Sequence, residues 1–304
     1  MSPEPTEPTE PTDATAAAGA RPAVDPGGER LRPLRPDWLI IGAQKCGTTS
    51  LAVALGRHPD IFVPAGKEAH HFGTVHDAGV GGEDYAGFFA GWQGERLIGE
   101  ATPEYLYLPS APRQILGYLP EVRLVAMLRD PVDRAWSAYW HGVRTGVIRG
   151  SFEQALDDEA RVLGRGRYSF TSLVDRGRYV TQLRRYEAAG LDRAALHVVI
   201  FEELVADPVA GVEAVQRFLG VEPLALGLEL RNPARLNRLP AVLRGPVWRR
   251  RGTRWGRHVY GRSLVPFTPP PMAPATRACL VEAFAPYNEA LATWLGRDLP
   301  WSTP

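Results

Sequence analysis

The chain has 304 residues with 35 Lys and Arg against 34 Asp and Glu, a net charge of +1 that gives no global pull toward nucleic acid or an anionic membrane. Its two cysteines, Cys46 and Cys279, exclude a disulfide framework and fit a reducing, cytoplasmic setting. No apolar run approaches the roughly 20 residues of a membrane span, and the N-terminus has neither the basic start nor the apolar core of a secretory signal.

In chain order, residues 1–36 stand apart. The repeat EPTEPTEPT and the Ala, Gly and Pro that follow cannot bury enough apolar surface to offset ordering, so this stretch reads as a disordered tail before a domain over 37–304. Trp38–Ile41 reads as a strand that stops at Gly42, and residues 49–57 as a helix ended by Pro59. Residues 83–92 suggest a short helix, 96–102 a strand, 110–119 a helix with a serine start, and 122–128 a buried strand. A helix follows Pro131, others cover 151–163, 177–189 and 208–219, and a strand lies within 195–204. The alternation predicts an α/β fold, a P-loop-like three-layer sandwich with a central parallel sheet and ligands at the strands' carboxyl ends. Residues 244–262 gather seven arginines among Trp248, Trp255 and Tyr260. Balanced by the rest of the chain, they read as a solvated surface, or as a basic mobile insertion or lid over 244–273, in preference to a nucleic-acid site.

Two segments carry anion-binding chemistry. In DWLIIGAQKCGTTSL (37–51) the strand gives way to a loop holding Gly42, Lys45 and Gly47, and Thr48, Thr49 and Ser50 open a helix. Glycines let backbone approach an anion, free amides at the helix start point at it, and lysine and hydroxyls complete the shell. The loop is not the Walker A form, because Thr48 stands where the Walker lysine belongs and Lys45 lies inside the loop. In VRLVAMLRDPVDRAWSAYWH (122–141), Arg129 ends a strand and Ser137 lies eight residues on, about two helical turns along and facing the same side. The arginine offers a rigid fork for phosphate oxygens. Asp130 before Pro131 reads as a helix cap.

Together these motifs resemble the PAPS-dependent sulfotransferases, in particular the branch with heparan-type and bacterial enzymes, over roughly residues 37–301. The resemblance implies that Lys45, Gly47, Thr48, Thr49 and Ser50 hold the 5′-phosphosulfate of 3′-phosphoadenosine 5′-phosphosulfate (PAPS), and that Arg129 and Ser137 grip its 3′-phosphate. It also implies that Glu68, in Lys67-Glu68-Ala69-His70-His71-Phe72, is the base on a hydroxyl of a small-molecule or carbohydrate acceptor. Lys45 would stabilise the oxygen leaving with the phosphate, and no metal would be needed. His70 and His71 stand as alternative bases, since an imidazole is suited to neutral pH; adjacent histidines without a cysteine cluster do not read as a zinc site. GEATPEYLY (99–107) resembles a segment bordering the acceptor pocket, but Ala101 replaces the lysine of heparan-type enzymes. A KGR-type loop over the cofactor is absent from the sequence, with Arg235 or Arg238 in its place, and Tyr179 falls near the adenine side of the family pattern. The competing readings are a P-loop nucleotide kinase using ATP and magnesium, and a nucleotide-binding protein without catalysis. Oligomeric state has no sequence signal.

Overall fold

Trp38–Gly42 is buried at every position and forms the central strand, β1. A computed structural model describes residues 34–73, 85–164, 172–229, 235–250 and 253–301. Of the expected tail, residues 1–33 lie outside the described residues, and Leu34 packs against the core. β2 (Ile61–Phe62), β3 (Leu97–Ala101), β4 (Arg123–Leu128) and β5 (Leu196–Ile200) complete one parallel sheet in the order β2-β3-β1-β4-β5. Its strands are rich in Leu, Ile and Val because a parallel sheet with helices on both faces has no solvated side. This is the α/β three-layer arrangement that the alternating pattern predicts.

The connecting helices are α1 (Thr48–Leu55), α2 (Ala111–Tyr118), α3 (Pro131–Thr145), α4 (Phe152–Leu163), α5 (Tyr179–Ala188), α6 (Phe201–Ala206) and α7 (Pro208–Leu219). α1 packs on α7, while α5 packs on α2 and on the long C-terminal helix, Pro274–Leu295. Local chemistry sets several ends. Asp130 accepts hydrogen bonds from the amides of Val132 and Asp133, with Pro131 at the first helical position, so it caps α3. Ser151 and Gln154 form a reciprocal capping box on α4. Ser110, by contrast, makes no side-chain cap on α2.

Two expectations shift in detail. Within 83–92, the described part holds only a short 3-10 turn, Gly87–Phe89, opened by Gly87 and followed by Gly91, which weaken a helix, although Tyr85, Phe88, Phe89 and Trp92 keep a helical spacing toward the core. The arginine-rich stretch carries two helices, α8 (Ala241–Arg249) and α9 (Arg254–Ser263), and a strand β7 (Leu264–Pro266) paired antiparallel with β6 (Arg235–Asn237). The C-terminal helix is α10.

Gly99 in β3 sits opposite Trp38 in β1, and a methyl group added there would lie 1.9 Å from the fully buried indole. Gly99→Ala should therefore destabilise the domain by about 1–3 kcal/mol through overpacking, seen as a melting temperature several degrees lower. An unchanged melting temperature would show that the Trp38 ring yields.

Candidate active site

Because β1 and β4 are neighbours, the loops that follow them open side by side, and the amide of Ala43 donates to the carbonyl of Met127 at 2.6 Å. Lys45 and Gly47 both take left-handed backbone, φ +72° and +89°. A side chain at Gly47 would also meet the Phe201 ring at 3.0 Å, so two constraints select glycine there. α1 starts at Thr48 with its first amides at the loop. Thr48 and Ser50 are buried, and Thr49 is partly exposed. Cys46 is fully buried, its Sγ 3.7 Å from the Tyr179 hydroxyl, and burial pushes the thiol up to about 11. It fills the loop as a packing residue with little thiolate character.

Arg129 leaves the end of β4 with its guanidinium 4.9 Å over the Phe201 ring, and its carbonyl accepts the Tyr179 hydroxyl at 2.9 Å. Tyr179, expected beside an adenine, is itself almost fully buried and fixes the backbone of Arg129. Arg129 Nε is buried and makes no hydrogen bond among the described residues. Lys45, Arg129 and Ser137 together line a cavity of about 410 Å³, a size suited to a nucleotide. Trp136, Trp140, His141, Arg144, Phe267 and Pro269 also line it. Burial first, then the charges of Arg144 and Arg129, lower Lys45 to about 8. An anion entering this cavity would meet the cations Lys45, Arg129 and Arg144 that line it.

The segment around Glu68 is tightly bent: Lys67 and His70, neither a glycine, have φ +46° and +51°. Such backbone persists only where its surroundings fix it. The amide of Ala101 donates to Lys67 at 2.7 Å. The amides of Ala69, His70 and His71 donate in turn to Glu100, the Thr102 hydroxyl and the Tyr105 hydroxyl. Glu100 is fully buried and also accepts from Thr102 at 2.6 Å, Tyr105 at 2.7 Å and Tyr85 at 3.1 Å. Glu68 is thereby held half-exposed, paired with Lys67 Nζ and 3.2 Å from His70 Nε2. Burial would raise its carboxyl, but the His70 hydrogen bond and Lys67 overcome this and hold it at about 2. His71 points elsewhere: its ring stacks on Tyr85 at 4.1 Å and meets Phe72 edge-on at 4.8 Å.

The structure thus gathers Lys45, Arg129 and Ser137 at one cavity and Glu68 with His70 in a second cluster. The two adjoin through Gln44, whose side chain donates to Glu104 at 3.5 Å. Asp130 accepts from the amides of Val132 and Asp133 through Oδ1, the helix cap that the sequence predicts. Glu68, His70 and Glu104 place one donor atom each within 4.8 Å of one another, a spacing that could hold a cation, but Lys67 on Glu68 and Arg176 near Glu104 already supply positive charge. Sequence reading missed Arg144 and His141, although Ser137, His141 and Arg144 recur at the spacing of one helical face. It also missed Arg176, which reaches the site by tertiary folding, and singled out neither Glu104 within 99–107 nor Phe267 within 244–273.

Residues 35–229 match the family model described as the sulfotransferase domain. A sulfotransferase of known structure from Alicyclobacillus acidocaldarius is 30% identical with a TM-score of 0.66, over 87% of this chain and 97% of that one. Membrane-associated sulfotransferase kil1 of Dictyostelium discoideum is 33% identical over 137 residues, 42% of this chain and 29% of its own length. Heparan sulfate glucosamine 3-O-sulfotransferase 6 of Mus musculus is 34% identical over 191 residues, 62% of this chain and 53% of its own. The chain therefore spans about half, or less, of the length of these two relatives.

With Lys45 lowered to about 8, the free site carries this positive charge below that pH and loses it above. Pyrophosphate binding should take up about half a proton near pH 8 and weaken about tenfold for each further pH unit. Calorimetry in two buffers of different ionisation enthalpy measures both, and Lys45→Gln should abolish the uptake.

Proposed function

This chain belongs to the sulfotransferase domain family, and on that premise we propose that it moves a sulfuryl group from PAPS to an acceptor hydroxyl by in-line transfer. The observation that carries the reading is the convergence of Lys45, Arg129 and Ser137 on one cavity. Lys45 and the α1 amides take the 5′-phosphosulfate end, with Thr48, Thr49 and Ser50 around it, and Arg129 and Ser137 take the 3′-phosphate. The chain's own residues do the rest. The loop aligns sulfur with the acceptor oxygen, the Glu68 cluster receives the acceptor proton, and Lys45 meets the negative charge that grows on the leaving oxygen. None of these roles uses a metal.

For the acceptor, the site's charge favours a sugar or natural-product hydroxyl of low negative charge. Ala101 leaves a cation out of the segment that borders Glu68, while Glu68, Glu100 and Glu104 gather there. A heavily sulfated glycan would find no lysine at position 101 to meet it. No helix among the described residues is long and apolar enough to cross a membrane. The unpaired cysteines fit a reducing compartment, and we place the protein in the cytoplasm.

In a thermal-shift assay, 3′-phosphoadenosine 5′-phosphate should stabilise the protein without magnesium, and ATP far less. Arg129→Ala should lose most of that preference. Equal stabilisation by magnesium-ATP would favour a kinase.

Glu68→Gln keeps shape but cannot accept the proton, so turnover should fall by roughly 100-fold or more while affinity for the nucleotide changes little. A fully active Glu68→Gln with an inactive His70→Ala or His71→Ala would move the base to that histidine.

A further inference from the structure

α3 brings more to the cavity than Ser137. Ser137, His141 and Arg144 recur at the spacing of one helical face, and all three line it. Arg144 lies about 10 Å further along the helix axis than Ser137. Its guanidinium donates to His141 Nδ1 at 2.7 Å, and its Nε is buried without a hydrogen-bond partner among the described residues. Among those residues it pairs with no carboxylate, and Asp133, the acid of the lining, is engaged by Arg277 at 2.6 Å. A guanidinium can only donate, so the imidazole nitrogen accepts and brings no negative charge. His141 therefore holds the fork in place while leaving its full charge to the cavity.

A partly buried cation with an unsatisfied donor is costly until an anion completes it. We propose that Arg144 is a further binding residue: together with Lys45 it takes the 5′ anion of the nucleotide, leaving the 3′-phosphate to Arg129 and Ser137. The inference rests on the PAPS reading only for which nucleotide enters the cavity. Lys45 supplies the link between Arg144 and that end. Of the charges acting on Lys45, that of Arg144 is the strongest, ahead of Arg129 and Arg134, and Cys46 alone opposes them. Arg144 thus belongs with the loop lysine, although the chain places it on the helix that carries the serine. Two cations this close repel each other in the free site, and one anion within reach of both relieves them. The fork adds what an ammonium lacks, paired donors in one plane that match the oxygens of a phosphate or sulfate.

A purely structural use for Arg144 is also at hand. It lies in the last turn of α3, where the helix dipole favours a cation. That use predicts an effect on stability alone, whereas the binding role ties Arg144 to Lys45 and to one end of the ligand. The sign at Lys45 follows from repulsion: the lysine is charged below about 8, and removing Arg144 should let it keep its proton to higher pH.

The test needs no acceptor. Calorimetry on the full chain at pH 7, where Lys45 is mostly charged with or without Arg144, uses pyrophosphate, adenosine 5′-phosphosulfate and adenosine 3′-phosphate as probes. Arg144→Met keeps length and helix propensity but removes the charge. It should weaken pyrophosphate and adenosine 5′-phosphosulfate by about tenfold or more, and adenosine 3′-phosphate by less than about twofold. Arg129→Ala should show the opposite order, and Arg144→Lys should recover part of the loss. At pH 8, the proton uptake that accompanies pyrophosphate binding should fall below about half a proton in Arg144→Met, because Lys45 is then already charged. Circular dichroism confirms that each variant is folded, and Arg144→Gln carries the same comparison if the methionine variant is not. Unchanged binding and uptake in a folded variant, with only the melting temperature lowered, would overturn the proposal and leave Arg144 a helix-end cation. A larger loss for the 3′ probe than for the 5′ probes would overturn it as well. If the 5′ probes weaken as expected but PAPS donates to no acceptor tried, the anion seat stands and the transfer reaction falls. Transfer by a variant whose probe binding is unchanged overturns the seat alone.

Discussion

The pairing of β1 with β4 is the constraint on which the site depends. Two parallel strands side by side must end on the same edge of the sheet, and here the chain leaves each end through a turn that leads into a helix. Glycine and lysine in left-handed backbone serve the first turn, and an arginine followed by an aspartate-capped helix serves the second. Neither turn alone encloses a ligand. The register of Trp38 through Gly42 against Arg123 through Ala126 turns two local motifs into a single cationic wall.

Opposite that wall the chain solves a different problem. The bend that presents Glu68 is unfavourable for the residues that make it, and one buried carboxylate, Glu100, organises its support. Two tyrosines and a threonine donate to Glu100, and so does the backbone of the bent segment. Burial drives the Glu100 carboxyl upward, only partly opposed by these hydrogen bonds. The rigidity of the base cluster thus comes from buried polar chemistry, whereas that of the cationic wall comes from sheet pairing.

What was legible in the sequence divides along the same line. The loop over residues 42–50 and the spacing of Arg129 and Ser137 are local patterns, each set by a strand passing into a helix, and they read directly. The sheet follows from the alternation of apolar runs and helical periods. The placement of His70 and His71 does not: neighbours in the chain, one faces two carboxylates and the other stacks in an aromatic cluster. That choice depends on Tyr85 and Glu104, residues brought in by folding. The arginine-rich stretch was legible as charge but not as two helices and a strand, because its pairing partner, Arg235–Asn237, is too short to announce itself.

Phe267 and Pro269 follow β7, well past residue 229 where the match to the family ends, yet both line the nucleotide-sized cavity. Phe267 packs on Trp140 at 4.7 Å, and the Trp136 indole donates to Pro270 at 3.1 Å, so this wall is clasped to α3. The cavity therefore has walls both inside and beyond the stretch that the family model matches. Grafting the stretch from β6 to Pro270 between relatives becomes a rational way to retune how tightly a nucleotide is retained after turnover. The phosphate loop and the base cluster would remain untouched by such an exchange.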